Sequence, residues 1–286
     1  MKKDRLPISV IILTYNEELN LENCLKSIVD WVGEIFVIDG GPFNSYSSDK
    51  TLAIAEKYGA KITKHPFENQ AQQFNWALDN LDIKNDWILR LDADEYLSEE
   101  LKKEIAEVLP KTPPEISGFY IKRRVYFMGR WIKHGGYYPT WFLRFWRKGC
   151  AKYEDREVDE HIVLVSGKTK FLKNDFVDEN HKNLEWWIQR INNYTTREVI
   201  ARKKEVGQKS SLGNFFGIQS ERKRWIRKNI YYCLPLFTRA FIYFVYRYFI
   251  KFGFLDGKEG LIFHFLQGCW NQFLVDAKIL EKRKND

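Results

Sequence analysis

Cysteine is scarce in this chain. Cys24, Cys150, Cys233 and Cys269 stand apart over 286 residues, and no two form a CxxC pair. The five histidines are scattered as well. A structural zinc site is therefore not expected, and isolated thiols imply a reducing, cytosolic compartment. Long apolar runs are missing too. A spanning helix needs roughly 20 uninterrupted apolar residues. The nearest candidate, NIYYCLPLFTRAFIYFVYRYFIKFGF (229–254), is broken by Pro235, Arg239, Arg247 and Lys251. There is no internal repeat, no low-complexity tract and no GxGxxG, which argues against a dehydrogenase-type dinucleotide fold. The sequence also lacks a zinc finger, an RNP-like motif and a compact recognition helix. Nucleic acid is therefore not the expected partner of its basic balance.

What is present is ample: 44% hydrophobic residues, 29% charged, 10 Trp and a formal net charge of +8. That composition supports one large domain, or one domain with an appendage. The start, MKKDRLPISVIILTYNEE, is basic and then apolar for about seven residues before Asn16-Glu17-Glu18; it reads as a first strand rather than a signal peptide.

Strand and helix patterns alternate over the first hundred residues. ISVIILT (8–14), EIFVIDG (34–40), KITKH (61–65) and DWILRLD (86–92) read as strands. Between them, Leu21, Cys24, Leu25 and Ile28 keep helical spacing behind Asn20 as N-cap. Ser48 or Asp49 caps a second helix that stops near Gly59. Ala71, Phe74, Leu78 and Leu81 share one face of a third, and Ser98 caps a fourth. This β-α-β-α-β-α-β order predicts an open, mostly parallel sheet whose ligands bind at the carboxyl ends of the strands. Polar clusters fall at three such ends: Thr14-Tyr15-Asn16-Glu17, Asp39-Gly40-Gly41 and Asp92-Ala93-Asp94. Residues 117–165 alternate aromatic and basic residues, as in antiparallel strands with long loops. From about 184 the pattern is helical, with a dense basic stretch RKRWIRK at 222–228.

Three carboxylates within Asp92-Ala93-Asp94-Glu95 repel one another unless a cation, a proton or a ligand donor offsets them. In extended backbone, residues i and i+2 point the same way. Asp92 and Asp94 would then face one Mg²⁺ or Mn²⁺ shared with a diphosphate. The bland alternative is a solvated acidic loop before a helix. Asp39, followed by two glycines, can hold a ribose hydroxyl or a base N–H, or can simply form an Asp-Gly turn.

The stretches SVIILTYNEELNLENCLKSI, FVIDGG, SSDKT and WILRLDADE resemble the N-terminal half of the family-two inverting glycosyltransferases of GT-A fold. GRWIKHGGYYPTWFLRFWRKG, VDEHIVLVSG, ENHKNLEWWIQRINNYTTREV and GFLDGKEGLIFHFLQ resemble bacterial members that build lipopolysaccharide core, capsule or exopolysaccharide. The resemblance covers nearly the whole chain. It implies a Rossmann-like mixed sheet flanked by helices, with a C-terminal helical extension. It further implies a nucleotide-diphospho-sugar donor, UDP by default, and a divalent metal. Thr14, Tyr15, Asn16, Glu17, Asp39, Asp92 and Ala93 match the nucleotide-sugar side. Asp92 and Asp94 match the metal-diphosphate motif. Apart from the resemblance, His181 or His161 is a further candidate ligand. Glu160 in VDEH matches the catalytic base, with Asp159 second. One departure is GGPFNSYSSDKT (40–51), longer than the short serine-rich turn usual at that place.

His134 on its Gly-rich loop and Arg144 are candidate contacts to acceptor or phosphate. Residues 1–180 are expected to form the catalytic domain, with 1–110 as its nucleotide-sugar half and 111–180 as its acceptor half. Residues 181–286 would be a helical region. Within it, RKRWIRK (222–228) and the aromatic segment to residue 254 read either as interfacial helices, basic on one side and apolar on the other, docked on the cytoplasmic face of the inner membrane where a glycan or lipid-linked acceptor is presented, or as a helical pair packed on the catalytic domain with its basic residues solvated. A catalytically silent nucleotide-sugar-binding scaffold is the alternative function.

Overall fold

The computed structural model describes residues 5–154, 161–205 and 219–285. By its contacts the chain divides into two units, Met1–Tyr126 with Trp141–His181, and Phe127–Thr140 with Lys182–Asp286.

The first unit is built on β1 (Leu6–Thr14), β2 (Val32–Asp39), β3 (Lys61–Lys64), β4 (Trp87–Asp92), β5 (Glu95–Leu97), β6 (Ile116–Phe127), β8 (Trp141–Arg147) and β11 (Lys168–Glu179). In the sheet they run β3-β2-β1-β4-β8-β6-β11-β5. The first four are parallel neighbours. β8 is antiparallel to β4 and β6, and β11 is parallel to β6 but antiparallel to β5. The sheet is therefore mixed. A separate antiparallel pair joins β9 (Ala151–Tyr153) to β10 (Ile162–Leu164).

The continuous apolar runs follow from cover on both faces. Ile8, Val10 and Ile12 of β1 join one core with Leu21, Leu25 and Ile28 of α1 (Leu21–Ile28) and Leu101 and Ile105 of α4 (Glu99–Val108). Ile11 points the other way, into a second core with Phe74 and Ala77 of α3 (Gln70–Asn80) and Trp146 of β8. Each such side chain contributes about 1.5–3 kcal/mol by leaving water. α2 (Thr51–Lys57) completes the crossovers. Asn69 caps α3 by accepting from Gln72 N–H, and Ser98 caps α4 by accepting from Leu101 N–H. Asp49 accepts from Thr51 N–H at the start of α2. Asn20 makes no side-chain cap. Its carboxamide instead donates to Glu17 Oε2 and accepts from His181 N–H. β5 and β11 are not legible in the sequence, because charges interrupt KTKFLKNDFVDE and β5 has only three residues.

The second unit is helical: α5 (Leu184–Glu205), α6 (Gln219–Asn229), α7 (Thr238–Val245), α8 (Gly257–His264) and α9 (Asn271–Asn285). α7 and α8 continue as wider π-helical turns over Tyr246–Ile250 and Phe265–Trp270. Residues 127–140, carrying the short strand β7 (Arg130–Trp131), belong here although they fall between β6 and β8 in the chain. Phe127 meets Trp187 and Phe263 at ring-centroid distances of 5.7 and 5.2 Å. Arg247 donates to Gly135 O at 2.8 Å and lies 3.9 Å from the Tyr137 ring. Gly135 has φ +66°, and a Cβ there would stand 2.0 Å from the His264 ring. Only glycine fits. All four cysteines are unpaired. Among the described residues, no helix is long and apolar enough to cross a membrane.

Candidate active site at the carboxyl edge of the sheet

The parallel register gathers the three polar strand ends. Thr14 sits opposite Asp39, and Leu13 opposite Asp92. The rim anticipated from the sequence is thus a continuous edge.

Asp39 is fully buried. Its Oδ1 accepts from Thr14 Oγ1 at 3.2 Å and Ser47 Oγ at 2.5 Å, and its Oδ2 accepts from Ser47 N–H at 2.9 Å. Both oxygens are spent inside the protein. The long loop 40–51 is stitched to the first strand end by the same chemistry. Asn16 N–H donates to Ser47 Oγ, Ser48 N–H to Asn16 Oδ1, Glu17 N–H to Thr51 Oγ1, and Glu18 N–H to Asp49 Oδ2. Asn16 has φ +52°, a conformation asparagine tolerates better than most residues. Tyr15 OH accepts from Ser45 Oγ, and the Tyr15 ring lies so close to Gly41 that a Cβ would be 2.2 Å from it.

Asp92 ends β4, but Ala93 and Asp94 form a turn. The strand alternation that would aim both aspartates the same way therefore stops at Asp92. Asp92 Oδ1 accepts from Arg90 Nη2 at 2.6 Å and Gln70 Nε2 at 3.3 Å, and Oδ2 accepts from Arg144 Nη2 at 3.3 Å. Asp94 Oδ2 accepts from Asn180 Nδ2 at 2.8 Å, and Asp94 O accepts from Glu179 N–H. Ala93 is buried between them.

Glu95 is buried and accepts from Arg144 Nη2 at 2.6 Å and from the Asp92 N–H at 2.9 Å. Burial, aided by Asp92 and opposed by Arg144, pushes its carboxyl up to about 8. Burial opposes the charge on Arg144, but Glu95 and Asp92 outweigh that and raise it further. The carboxylate cluster is thus offset largely from within, by Arg90 and Arg144. Arg144 is itself buried, holding the acidic turn from beneath.

His181 is exposed, with Nε2 3.2 Å from Asn23 Nδ2 and its backbone N–H on Asn20. Its imidazole is engaged with α1, while the neighbouring Asn180 reaches Asp94. Among the described residues, no three His, Cys, Asp or Glu side chains form a metal-binding group. Two carboxylates of hard oxygen nonetheless fit Mg²⁺ or Mn²⁺, since Mg²⁺ is commonly held by one or two carboxylates with phosphate oxygens and water completing the shell. Glu160 and Asp159 lie outside the described residues. His134 belongs to the second unit, where its Nδ1 is 2.6 Å from Asp256 Oδ1 and its N–H donates to Asp256 Oδ2 at 2.9 Å.

Reading the sequence for site residues passed over Arg90, Gln70, Ser47 and Asn180, and gave Glu95 no role beyond its charge. Arg90 had a signal, lying two residues before Asp92 on the same strand face. Asn180 had none, because it reaches Asp94 over 86 positions.

The chain is similar to an uncharacterized glycosyltransferase of Rickettsia felis, 29% identical over 290 residues, covering 97% of this chain and 92% of that protein. It is also similar to the lipopolysaccharide core biosynthesis glycosyltransferase LpsC of Rhizobium meliloti, 30% identical over 165 residues, 56% of this chain and 58% of LpsC. Among solved structures, TarS residues 1–349 of S. aureus gives a TM-score of 0.47 at 14% identity, covering 98% of this chain and 92% of that one. Glucosyl-3-phosphoglycerate synthase of Mycobacterium tuberculosis, solved with Mn²⁺, UDP and glucosyl-3-phosphoglycerate, gives 0.33 at 22%, covering 42% and 44%. The model of glycosyl transferase family 2 matches residues 9–180, which take in the whole rim from Thr14 to Asn180. The parallel half-sheet and its acidic edge are therefore those of a glycosyltransferase, and the chain belongs to glycosyl transferase family 2.

Proposed function

We propose that the protein transfers a sugar, with inversion, from a nucleotide-diphospho-sugar, with UDP the expected nucleotide, to a lipid-linked, lipopolysaccharide or exopolysaccharide acceptor. The observation that carries this is the carboxyl edge of β1, β2 and β4, where in-register strands bring Thr14, Asp39 and Asp92 together beside Asp94. The similarity to LpsC supports the acceptor class.

Asp94, with Asp92, would hold a divalent cation, which neutralises charge on a departing diphosphate. Arg90 and Arg144 fix the Asp92 carboxylate through charge-assisted hydrogen bonds, so its orientation is set before donor arrives. Asn180 does the same for Asp94. The loop of residues 14–18 and residues 45–51 form the nucleoside side. Asp39 is fully buried behind its bonds to Ser47, so the loop of residues 45–51 must shift for that carboxylate to reach a base or ribose. His181, one residue from Asn180, would approach the cation only by leaving Asn23. Glu160, with Asp159 second, would take the acceptor hydroxyl's proton on the face opposite the leaving diphosphate in one in-line displacement. His134 would contact acceptor or phosphate, and the protein would work peripherally on the cytoplasmic face of a membrane.

The test is calorimetric titration of UDP, GDP, dTDP and CMP into the protein with Mn²⁺ and then with EDTA. Metal-dependent binding of one nucleotide is expected. Absence of binding to all four, with the protein folded, would overturn the donor assignment.

A further inference from the structure

We infer that the outward face of residues 241–255 in the helical unit is a docking surface for an anionic phospholipid bilayer. It deepens the reading of a membrane-presented acceptor and takes its purpose from that reading.

α7 with its π-helical continuation is amphipathic in the inverted sense. Arg239, Ala240 and Arg247 point inward and are buried. Arg239 pairs with the buried Asp276 of α9, and Arg247 holds Gly135 O and the Tyr137 ring. Phe241, Ile242, Val245, Tyr246, Phe249 and Ile250 point outward and are 43–61% exposed. Their spacing, i, i+1, i+4, i+5, i+8, i+9, is one face of a helix. Phe252, Phe254 and Leu255 extend the exposed apolar surface past its end. A water-facing helix places arginine outside and phenylalanine inside. This one does the reverse, and contiguous exposed apolar surface of this kind marks an interaction site.

Charge selects the occupant. No Asp or Glu lies between Thr238 and Leu255, and Lys251 is exposed at the end of the face. Residues 219–285 contain thirteen Lys and Arg against five Asp and Glu, an excess equal to the formal +8 of the whole chain. Two of those five acids, Asp256 and Asp276, are buried against His134 and Arg239. A unit with this excess of positive charge and an exposed apolar face attracts an acidic lipid surface and disfavours a second, equally basic copy of the chain. The helical run Thr238–Ile250 is about 20 Å long, too short to span a bilayer, so it lies in the interface.

The test is co-sedimentation of the full chain with phosphatidylcholine vesicles, with and without phosphatidylglycerol. Binding is expected only with phosphatidylglycerol, weakened by salt, and at least about tenfold weaker in the double variant Phe249→Glu/Ile250→Glu. Circular dichroism checks that the variant is folded. Phe241→Ser/Ile242→Ser, on the same face, replaces it should it fail to fold. Failure of the wild-type protein to pellet, or equal pelleting of a folded variant, overturns the inference. So does a dimer in analytical ultracentrifugation that these substitutions dissolve, since the face would then join two copies. Nucleotide titration of the same variant without vesicles separates the two readings. Intact vesicle binding by a protein that binds no nucleotide removes the donor assignment and leaves the surface standing.

Discussion

Asp94 and Asp92 are two residues apart but differently placed, and substitutions should separate them. Asp94 accepts an amide hydrogen bond from Asn180 through Oδ2. Asp94→Asn is expected to abolish metal-dependent nucleotide binding and transfer with the unfolding midpoint unchanged. Full activity in that variant would remove the metal role. Arg144 differs because it is buried against Glu95 and Asp92. Arg144→Met strips a charge-assisted bond from Asp92 and leaves the buried Glu95 carboxyl without its donor, and should destabilise by about 1–3 kcal/mol, read by urea unfolding. Ser47→Ala leaves the Asn16 N–H without its acceptor and strips two bonds from the loop 40–51 latch. A loss of about 1–3 kcal/mol is expected, with nucleotide affinity changed in the same variant if Asp39 is a nucleoside contact. Glu160→Gln should keep donor affinity and lose turnover; weak donor binding with normal turnover would contradict its role as base.

At the scale of elements, the loop 133–137 and the start of α8 are locked together by ionisable groups. Burial opposes the charge on Asp256, but the His264 imidazole 3.7 Å away and the bonds from His134 hold its carboxyl below the usual range. Burial pushes His264 down, against the pull of Asp256. Both shifts have the same sign for stability. A histidine kept neutral by folding binds its proton more readily in the unfolded chain. Stability is therefore lost as pH falls below the ordinary histidine value near 6.5. The depressed Asp256 adds a further loss below about 4, as pH falls toward its folded value. The thermal midpoint should drop between pH 7 and 5, and His264→Gln should flatten that slope. An unchanged slope would show that His264 does not carry it.

At the scale of the whole molecule, the division into units crosses the order of the chain. Residues 127–140 are part of the helical unit, where Phe127, Gly135 and Tyr137 have their partners. A protein ended after His181 would lose Trp187, Arg247, Asp256 and Phe263 from around that segment. It is expected to be poorly soluble and to unfold without cooperativity; a soluble, cooperatively folding fragment would contradict this.

The sequence by itself determined the alternating strands and helices of the first hundred residues, because period and caps are local properties. It also determined the acidic strand ends, the helical C-terminal part and the family. Tertiary structure decided how the acids are held. Arg144 reaches Glu95 across 49 positions and Asn180 reaches Asp94 across 86, distances over which no local pattern carries information. It decided that Asp39 is latched by Ser47, since the path of the loop 40–51 depends on bonds to residues 16–18. It also decided the inverted face of α7. Helical spacing predicts that such a helix has two sides, but only the packing of Arg239 on Asp276 and Arg247 on Gly135 determines which side meets solvent.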